Sequence, residues 1–181
     1  MGSDLVKAAM PIKQFEKLKP ILHFNDNATC IADRNDDKHD KLHKLRPIID
    51  ALNKNFVKIP MEERLCVDEQ MCATKARHHL KQYMPQKPHK WGYKFFVLCG
   101  ISGFVYNFEI YSGEENKESR RLTHEPDLGA SGNVLVRLCR QVPKHTNYKL
   151  YCHNYYTSLP LFIYLRKQGI HCLSQMQTSR R

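Results

Sequence analysis

The sequence predicts an α/β domain built on one mixed sheet and preceded by a short helical segment. Three observations predict it. Residues 94–99 and 104–111 are apolar, aromatic-rich runs separated by Gly100-Ile101-Ser102-Gly103, the signature of a β-hairpin. A shorter apolar run, Leu65-Cys66-Val67, stands ahead of the hairpin as a candidate buried strand. Downstream, helical stripes alternate with short strand-like runs, the pattern of helices packed onto a partly parallel sheet.

From the N-terminus, Phe15, Leu18 and Leu22 recur at helical spacing, so residues 11–24 read as an amphipathic helix ending at the turn cluster Asn25-Asp26-Asn27. Residues 25–40, with Asp33, Asp36, Asp37 and Asp40, read as a polar loop. Leu42, Leu45, Ile49, Leu52 and Phe56 form a second stripe over 41–56, in which Pro47 marks a kink or a helix start. The strand at 65–67 and the hairpin follow. Residues 112–130, polar with Gly and Pro, read as a loop. Val134, Leu135, Leu138 and Val142 make a helical stripe stopped by Pro143, and residues 148–152 are a short strand. Thr157-Ser158 then offers an N-cap, Pro160 suits a first turn, Gly169 closes the helix, and residues 170–173 form the last strand. After the helical segment the order is β-β-β-α-β-α-β, that of an RNase H-like fold truncated before its final helix. The expected division is a helical segment over 1–60 and a partial RNase H-like core over 61–181. Without the final helix, an apolar patch is expected to be exposed or covered by a partner.

Of the 181 residues, 29 are Lys or Arg and 18 are Asp or Glu, a formal net charge of +11. That balance favours a polyanionic partner, most simply nucleic acid, although many proteins are basic without binding it. The seven cysteines (Cys30, Cys66, Cys72, Cys99, Cys139, Cys152 and Cys172) are odd in number, scattered and free of any Cys-x-x-Cys, which argues against a disulfide framework and a zinc ribbon. Reduced thiols in the cytosol or nucleus are the expectation. No apolar run nears ~20 residues, so no membrane partner is expected.

Asp68 follows the run Leu65-Cys66-Val67 directly. A carboxylate at a strand end can hold a divalent cation, but phosphoryl transfer on DNA uses two cations held by several carboxylates, and a lone Asp68 also fits a solvated loop. Residues 70–108 contain no Asp or Glu. They carry Lys75, Arg77, Lys81, Lys87, Lys90 and Lys94 with Tyr83, Trp91 and Tyr93 interleaved. Such a stretch suits a phosphate backbone with bases stacked on the rings; a solvated basic loop with core aromatics reads equally well. His153 has no Cys or His partner at metal-site spacing and fits a structural residue. No phosphate-cradling Gly-rich loop and no Gly-x-Ser-x-Gly occurs.

Longer motifs carry a resemblance. Val67-Asp68-Glu69-Gln70-Met71 is followed by Lys75, Arg77, Tyr83-Met84-Pro85, Lys87-Pro88-His89-Lys90-Trp91-Gly92 and Lys94. Phe108-Glu109-Ile110-Tyr111-Ser112-Gly113 closes the hairpin. Upstream stand Phe24-Asn25-Asp26-Asn27, Asp40-Lys41-Leu42 and Arg46-Pro47-Ile48-Ile49; downstream stand Asn154-Tyr155-Tyr156-Thr157-Ser158, Pro160-Leu161 and Leu165-Arg166. From about Phe15 to Arg181 the sequence resembles piggyBac transposases and the domesticated proteins derived from them.

The resemblance implies an RNase H-like core whose DDD triad binds Mg²⁺ for DNA hydrolysis and strand transfer. Asp68 matches the first Asp. His153 stands at the position of the second, directly before Asn154, and the third is expected on a helix beyond residue 181. Thr74-Lys75-Ala76-Arg77 replaces the family's Phe-Lys-Gly-Arg, and Ser174-Gln175-Met176-Gln177 replaces Gly-Thr-x-Arg. The family's C-terminal Cys/His zinc domain and its N-terminal segment are not matched. Asp→His exchanges a charged oxygen ligand for nitrogen, which Mg²⁺ disfavours. The expectation is therefore a catalytically inactive core with Asp68 as a vestigial metal ligand, no cofactor of its own, and a role as a DNA-binding or interaction module. Lys75, Arg77, Lys81, Lys87, Lys90 and Lys94 are its DNA-contact candidates. DNA and a second copy of the chain are the expected partners, and the nucleus is the expected location. The alternative is an active Mg²⁺-dependent transposase or nuclease whose missing carboxylates come from a segment outside this sequence.

Overall fold

The apolar run at 65–67 is only the start of a long strand. In the computed structural model, which describes residues 4–174, β1 spans Arg64–Ala73. Residues 68–73 carry no apolar run of their own; an antiparallel partner holds them extended. β3 (Trp91–Gly100) pairs with β1 from Leu65↔Gly100 to Ala73↔Gly92, so the partner's length sets the strand's length. Gly92 permits this approach, since a Cβ there would lie 2.3 Å from the Cys72 carbonyl oxygen.

A two-residue strand, β2 (Gln82–Tyr83), meets the start of β3 through Tyr83↔Trp91. β3 turns through Gly103 (φ 83°) into β4 (Val105–Ile110), the second arm of the hairpin. β5 (Lys149–Cys152) lies parallel to β1 on its other side, and β6 (His171–Ser174) lies parallel to β5. The sheet has six strands in the order β2-β3-β1-β5-β6, with β4 also on β3, and it mixes antiparallel with parallel pairs. This is the mixed α/β fold of the β-β-β-α-β-α-β reading, with β2 added inside the basic stretch.

Period-2 alternation divides β1. Leu65, Val67 and Glu69 point to one face, and Cys66 and Asp68 to the other. The first face is covered by α4 (Gly129–Leu138) and α5 (Leu159–Lys167). Leu65, Val67, Leu98 and Leu150 from the sheet join Val134, Leu135 and Leu138 from α4 and Leu161 and Leu165 from α5 in one cluster, each at most 1% exposed. Each such side chain contributes roughly 2 kcal/mol of burial. α4 starts at Gly129, the last residues of the loop read over 112–130, and passes into a 3₁₀ turn, Cys139–Gln141, ahead of Pro143. Asn107 Nδ2 donates to the Leu138 carbonyl at 3.0 Å, satisfying an acceptor that the helix end leaves open. α5 is capped as its sequence indicates: Ser158 Oγ accepts from Leu161 N at 3.4 Å, Pro160 sits in the first turn, and Gly169 (φ 75°) ends it.

The chain divides into two compact units, Met1–Asp50 and Ala51–Arg181. The first holds α1 (Asp4–Ala9), absent from the sequence reading, and α2 (Ile12–Leu18), which gives way to a 3₁₀ turn at Lys19–Ile21 because Pro20 cannot continue it. Its polar loop is a series of Asx turns: Asp26, Asp33, Asp36 and Asp40 each accept from the backbone N–H two residues on. Arg46 closes on Asp40 with a two-pronged ion pair, 2.7 Å at its shortest. α3 (Arg46–Phe56) begins at the Arg46-Pro47 step, and its last residues belong to the second unit. There Asn53 bonds the Phe108 backbone and Phe56 packs on Phe104 and Phe108, against the sheet face that carries Asp68. Gln175, Met176 and Gln177 lie outside the described residues, as do Arg180 and Arg181. No described helix is long and apolar enough to cross a membrane.

One ion pair ties α4 to the sheet. Arg137, with a side chain 4% exposed, donates to both carboxylate oxygens of Glu109 on β4 at 2.8 and 3.0 Å. Arg137→Met leaves Glu109 partly buried beside Arg120, whose guanidinium lies at 3.1 Å. It is expected to cost on the order of 3 kcal/mol in urea unfolding of the full chain; a loss within ordinary surface values would show that the pair does not hold the helix.

Candidate nucleic-acid interface around Asp68

The sheet brings two of the sequence-derived residues together. Val67 pairs with Cys152, the last residue of β5, so Asp68 and His153 are the next residues along two parallel neighbours. Asp68 stands within β1, opposite Val97 of β3, and not at a strand end, where the run 65–67 alone places it. The strand that ends at this point is β5. The two positions thus share one level of the sheet at a step where β5 leaves it.

Asp68 is exposed and held. Its Oδ1 accepts from Glu69 N at 2.8 Å, and its Oδ2 lies 3.8 Å from Lys87 Nζ. The same ammonium donates to the Glu69 carbonyl oxygen at 2.8 Å, so Lys87 is anchored to the strand as well as to the carboxylate. His153 is also exposed. Its Nδ1 is the acceptor of a long 3.5 Å cap on Tyr155 N, at the head of the 3₁₀ turn Asn154–Tyr156.

Behind Asp68, on the core face, lies a buried polar cluster that the sequence reading missed. Glu69 is 9% exposed. Lys94 Nζ approaches its Oε1 at 3.8 Å and sits over the rings of Phe96 (4.6 Å) and Tyr155 (4.7 Å). Burial pulls the Lys94 ammonium below its ordinary range, while Glu69 and Glu115 pull it back up. Burial, and next to it the Glu69 charge, push the Tyr156 phenol well up. The signal for Glu69 was the strand period, since it is two residues on from Val67 and four from Leu65.

The basic residues therefore separate. Lys75, Arg77 and Lys90 are exposed on the loops flanking β2. Lys87 is tied to Asp68. Lys94 is half-buried, its ammonium 3.8 Å from Glu69 and over two rings, and so is placed as a counter-ion within the sheet. Lys81 is half-buried with its Nζ 5.5 Å from the Trp91 ring centre. Trp91 is not a core residue: it is 54% exposed beside Tyr83 at 50%. Their ring centres are 4.7 Å apart because β2 and β3 pair them directly. Tyr93, by contrast, is half-buried and packs edge-on to His78. Two open aromatic faces with a lysine above and further cations on the neighbouring loops have the composition of a base-stacking platform.

A protein-family model described as Transposase IS4 matches residues 1–181. The chain belongs to the piggyBac-type transposase family. It is 32% identical over 168 residues to human PiggyBac transposable element-derived protein 3, an alignment covering 91% of this chain and 26% of that protein. It is also 32% identical over 170 residues to human PiggyBac transposable element-derived protein 2, covering 92% of this chain and 27% of that one. The chain thus spans about a quarter of the length of these relatives. Its fold is that of a piggyBac transposase solved by cryo-electron microscopy as a synaptic complex with hairpin DNA: TM-score 0.76, 21% identity, 99% of this chain and 36% of that one.

The family's divalent metal finds a poor donor set here. Among the described residues no group of three or more His, Cys, Asp or Glu side chains is placed to hold a metal ion. Asp68 supplies one carboxylate, Lys87 brings a competing ammonium to 3.8 Å, and the neighbouring strand offers an imidazole. Mg²⁺ prefers several oxygen ligands, and these residues do not fit it.

The buried cluster gives its own test. Lys94→Met strips the cation from Glu69 and is expected to destabilise the chain by about 3 kcal/mol; adding Glu69→Gln should recover part of the loss. Additive losses in the double variant, measured by urea unfolding, would mean that the two side chains are not coupled.

Proposed function

We propose that this chain is a transposase-like core that binds DNA without cutting it as it stands. The observation that carries the proposal is the occupancy around Asp68: an ammonium at 3.8 Å from its carboxylate, and a histidine where the family has its second Asp. Neither residue assists in holding Mg²⁺, and a protonated imidazole would repel it. The reading of DNA as partner rests on the basic balance of the chain, the exposed Tyr83–Trp91 pair and the cations on the loops around it. The DNA named in the description of the piggyBac transposase complex belongs to that protein; here it makes a duplex or single strand the first ligand to try. Lys75, Arg77, Lys81 and Lys90 contact phosphate in this reading, with Lys87 contributing only where a phosphate displaces Asp68. We place the protein in the nucleus on the same grounds.

The deciding experiment is fluorescence anisotropy of labelled DNA against salt, with Mg²⁺ or with EDTA, followed by a denaturing gel. Four or five phosphate contacts should weaken binding roughly 10²–10³-fold between 50 and 200 mM salt, equally in both buffers and with intact DNA throughout. Lys75→Ala and Arg77→Ala should each reduce the salt slope by about one, and Trp91→Ala should cost about 1–3 kcal/mol on single strands. His153→Asp should leave the DNA uncut, since one restored carboxylate does not complete a two-metal site. Mg²⁺-dependent nicking by the wild-type chain would overturn the proposal in favour of an active nuclease. Salt-insensitive binding would redirect it to a protein partner.

A further inference from the structure

Away from the Asp68 surface, two thiols are already in contact. Cys152 and Cys172 are free, and their sulfur atoms are 3.5 Å apart. They come from the parallel neighbours β5 and β6, where the register pairs Leu150 with Cys172 and Cys152 with Ser174, so the two side chains meet on a diagonal of one face. A disulfide needs its sulfurs ~2.05 Å apart, so closure asks for the sulfurs to approach by about 1.5 Å, through side-chain rotation together with a shift of the two strands. A hydrogen bond joins the two sulfurs, with either thiol able to donate, and it pulls the Cys152 thiol below its ordinary range and pushes Cys172 up. The arrangement is that of a nucleophilic sulfur beside its proton donor.

The pair can also be reached. A groove of about 970 Å³ opens between β5, β6 and α5, with Tyr151, Phe162, Ile163 and Leu173 on its apolar wall, and Cys172 lines it. Cys152, 6% exposed, lies behind Cys172. A small oxidant can enter where a bulky one cannot. The other neighbouring pair, Cys66 and Cys99, sits directly opposite across β1 and β3. Such cross-strand positions hold their Cβ atoms ~4.5–5.5 Å apart. A disulfide uses ~3.8 Å, and these two thiols also share a hydrogen bond, so the linkage found on oxidation has to tell the two pairs apart.

We propose that Cys152 and Cys172 are an oxidation-sensitive dithiol that hydrogen peroxide converts to a disulfide between β5 and β6. One thiolate attacks a peroxide oxygen, the O–O bond breaks, and a sulfenic acid forms with release of hydroxide, which becomes water. The second sulfur, losing its proton, attacks the sulfenic sulfur and displaces a second hydroxide. Two thiols give up two electrons and two protons, and one peroxide becomes two waters. The new bond staples the edge strand β6 to β5 one residue before His153 and encloses the α5 crossover.

The test treats the folded full chain with excess hydrogen peroxide, blocks remaining thiols with iodoacetamide, digests without reduction and maps peptides by mass spectrometry. The expected product is a linked pair of peptides carrying Cys152 and Cys172, two hydrogens lighter than their sum and lost on treatment with dithiothreitol. Tm should rise by several degrees on oxidation, as closing a loop of this length restricts the unfolded chain. In Cys172→Ser, peroxide should carry Cys152 to its sulfenic acid, trapped by dimedone present as the oxidised chain is unfolded. The wild-type map stands by itself if that variant does not fold. Recovery of the two cysteines on separate peptides, whether alkylated or carried to sulfinic acid, would overturn the proposal, as would linkage of either to another cysteine.

Discussion

Strand β1 is hydrogen-bonded along both edges, antiparallel to β3 and parallel to β5, and the rest of the second unit is arranged around that double pairing. The antiparallel side is long and extends β1 to Ala73. The parallel side is short and ends with Val67↔Cys152. This inequality creates the candidate site. On one edge Asp68 stays within a regular ladder; on the other it stands level with the residue at which β5 departs. A parallel neighbour of this kind requires a crossover, and α4 and α5 supply the crossovers while covering the core face. One constraint therefore places Asp68 beside position 153, puts Glu69 under the helices and turns the basic loops of residues 74–90 toward the same end of the sheet.

The same alternation explains why adjacent acids have different fates. Asp68 faces water, and a lysine from a loop answers it. Glu69 faces the core, where a lone carboxylate would be costly, and Lys94 accompanies it there with two aromatic rings to either side. The lysine cannot serve both inside and out. Its position in a one-signed sequence stretch makes it look like a DNA contact; its strand phase makes it a structural counter-ion. The reverse holds for Trp91, whose bulk suggests the core and whose place at the start of β3, opposite Tyr83, leaves it in solvent.

Much of the fold was legible because its signals are local. The Gly-containing turn between two apolar runs, the Ser158–Pro160–Gly169 punctuation of α5 and the stripe ending at Pro143 each act within a few residues. What was illegible depends on partners distant in sequence. The second half of β1 is polar and is a strand only because β3 is there; β2 is two residues held by Trp91 and Gly92; α1 carries no strong stripe at all. The candidate site was legible to the same degree. Asp68 and His153 could be named from the motifs around them, but their alignment comes from the β1–β5 register. The tie between Lys87 and Asp68 comes from a loop fold that no spacing rule encodes. The Cys152–Cys172 contact likewise needs the β5–β6 register, since the two residues are twenty positions apart and separated by a helix.

The charge balance at Asp68 also bears on how this surface can fold at all. Two carboxylates on adjacent strands at one level repel each other, and a protein that carries them there relies on a cation to offset the repulsion. In this chain position 153 holds an imidazole that caps its own turn, and Lys87 brings a cation on a tether of protein. Lys87 offsets part of the Asp68 charge from within the chain, as a solvent-exposed pair at 3.8 Å. That pairing and the capacity to recruit a divalent metal are opposed: the nearer Lys87 sits to Asp68, the less an incoming Mg²⁺ gains by displacing it. The residue that steadies the Asp68 carboxylate is thus also the one that weakens its claim on a metal.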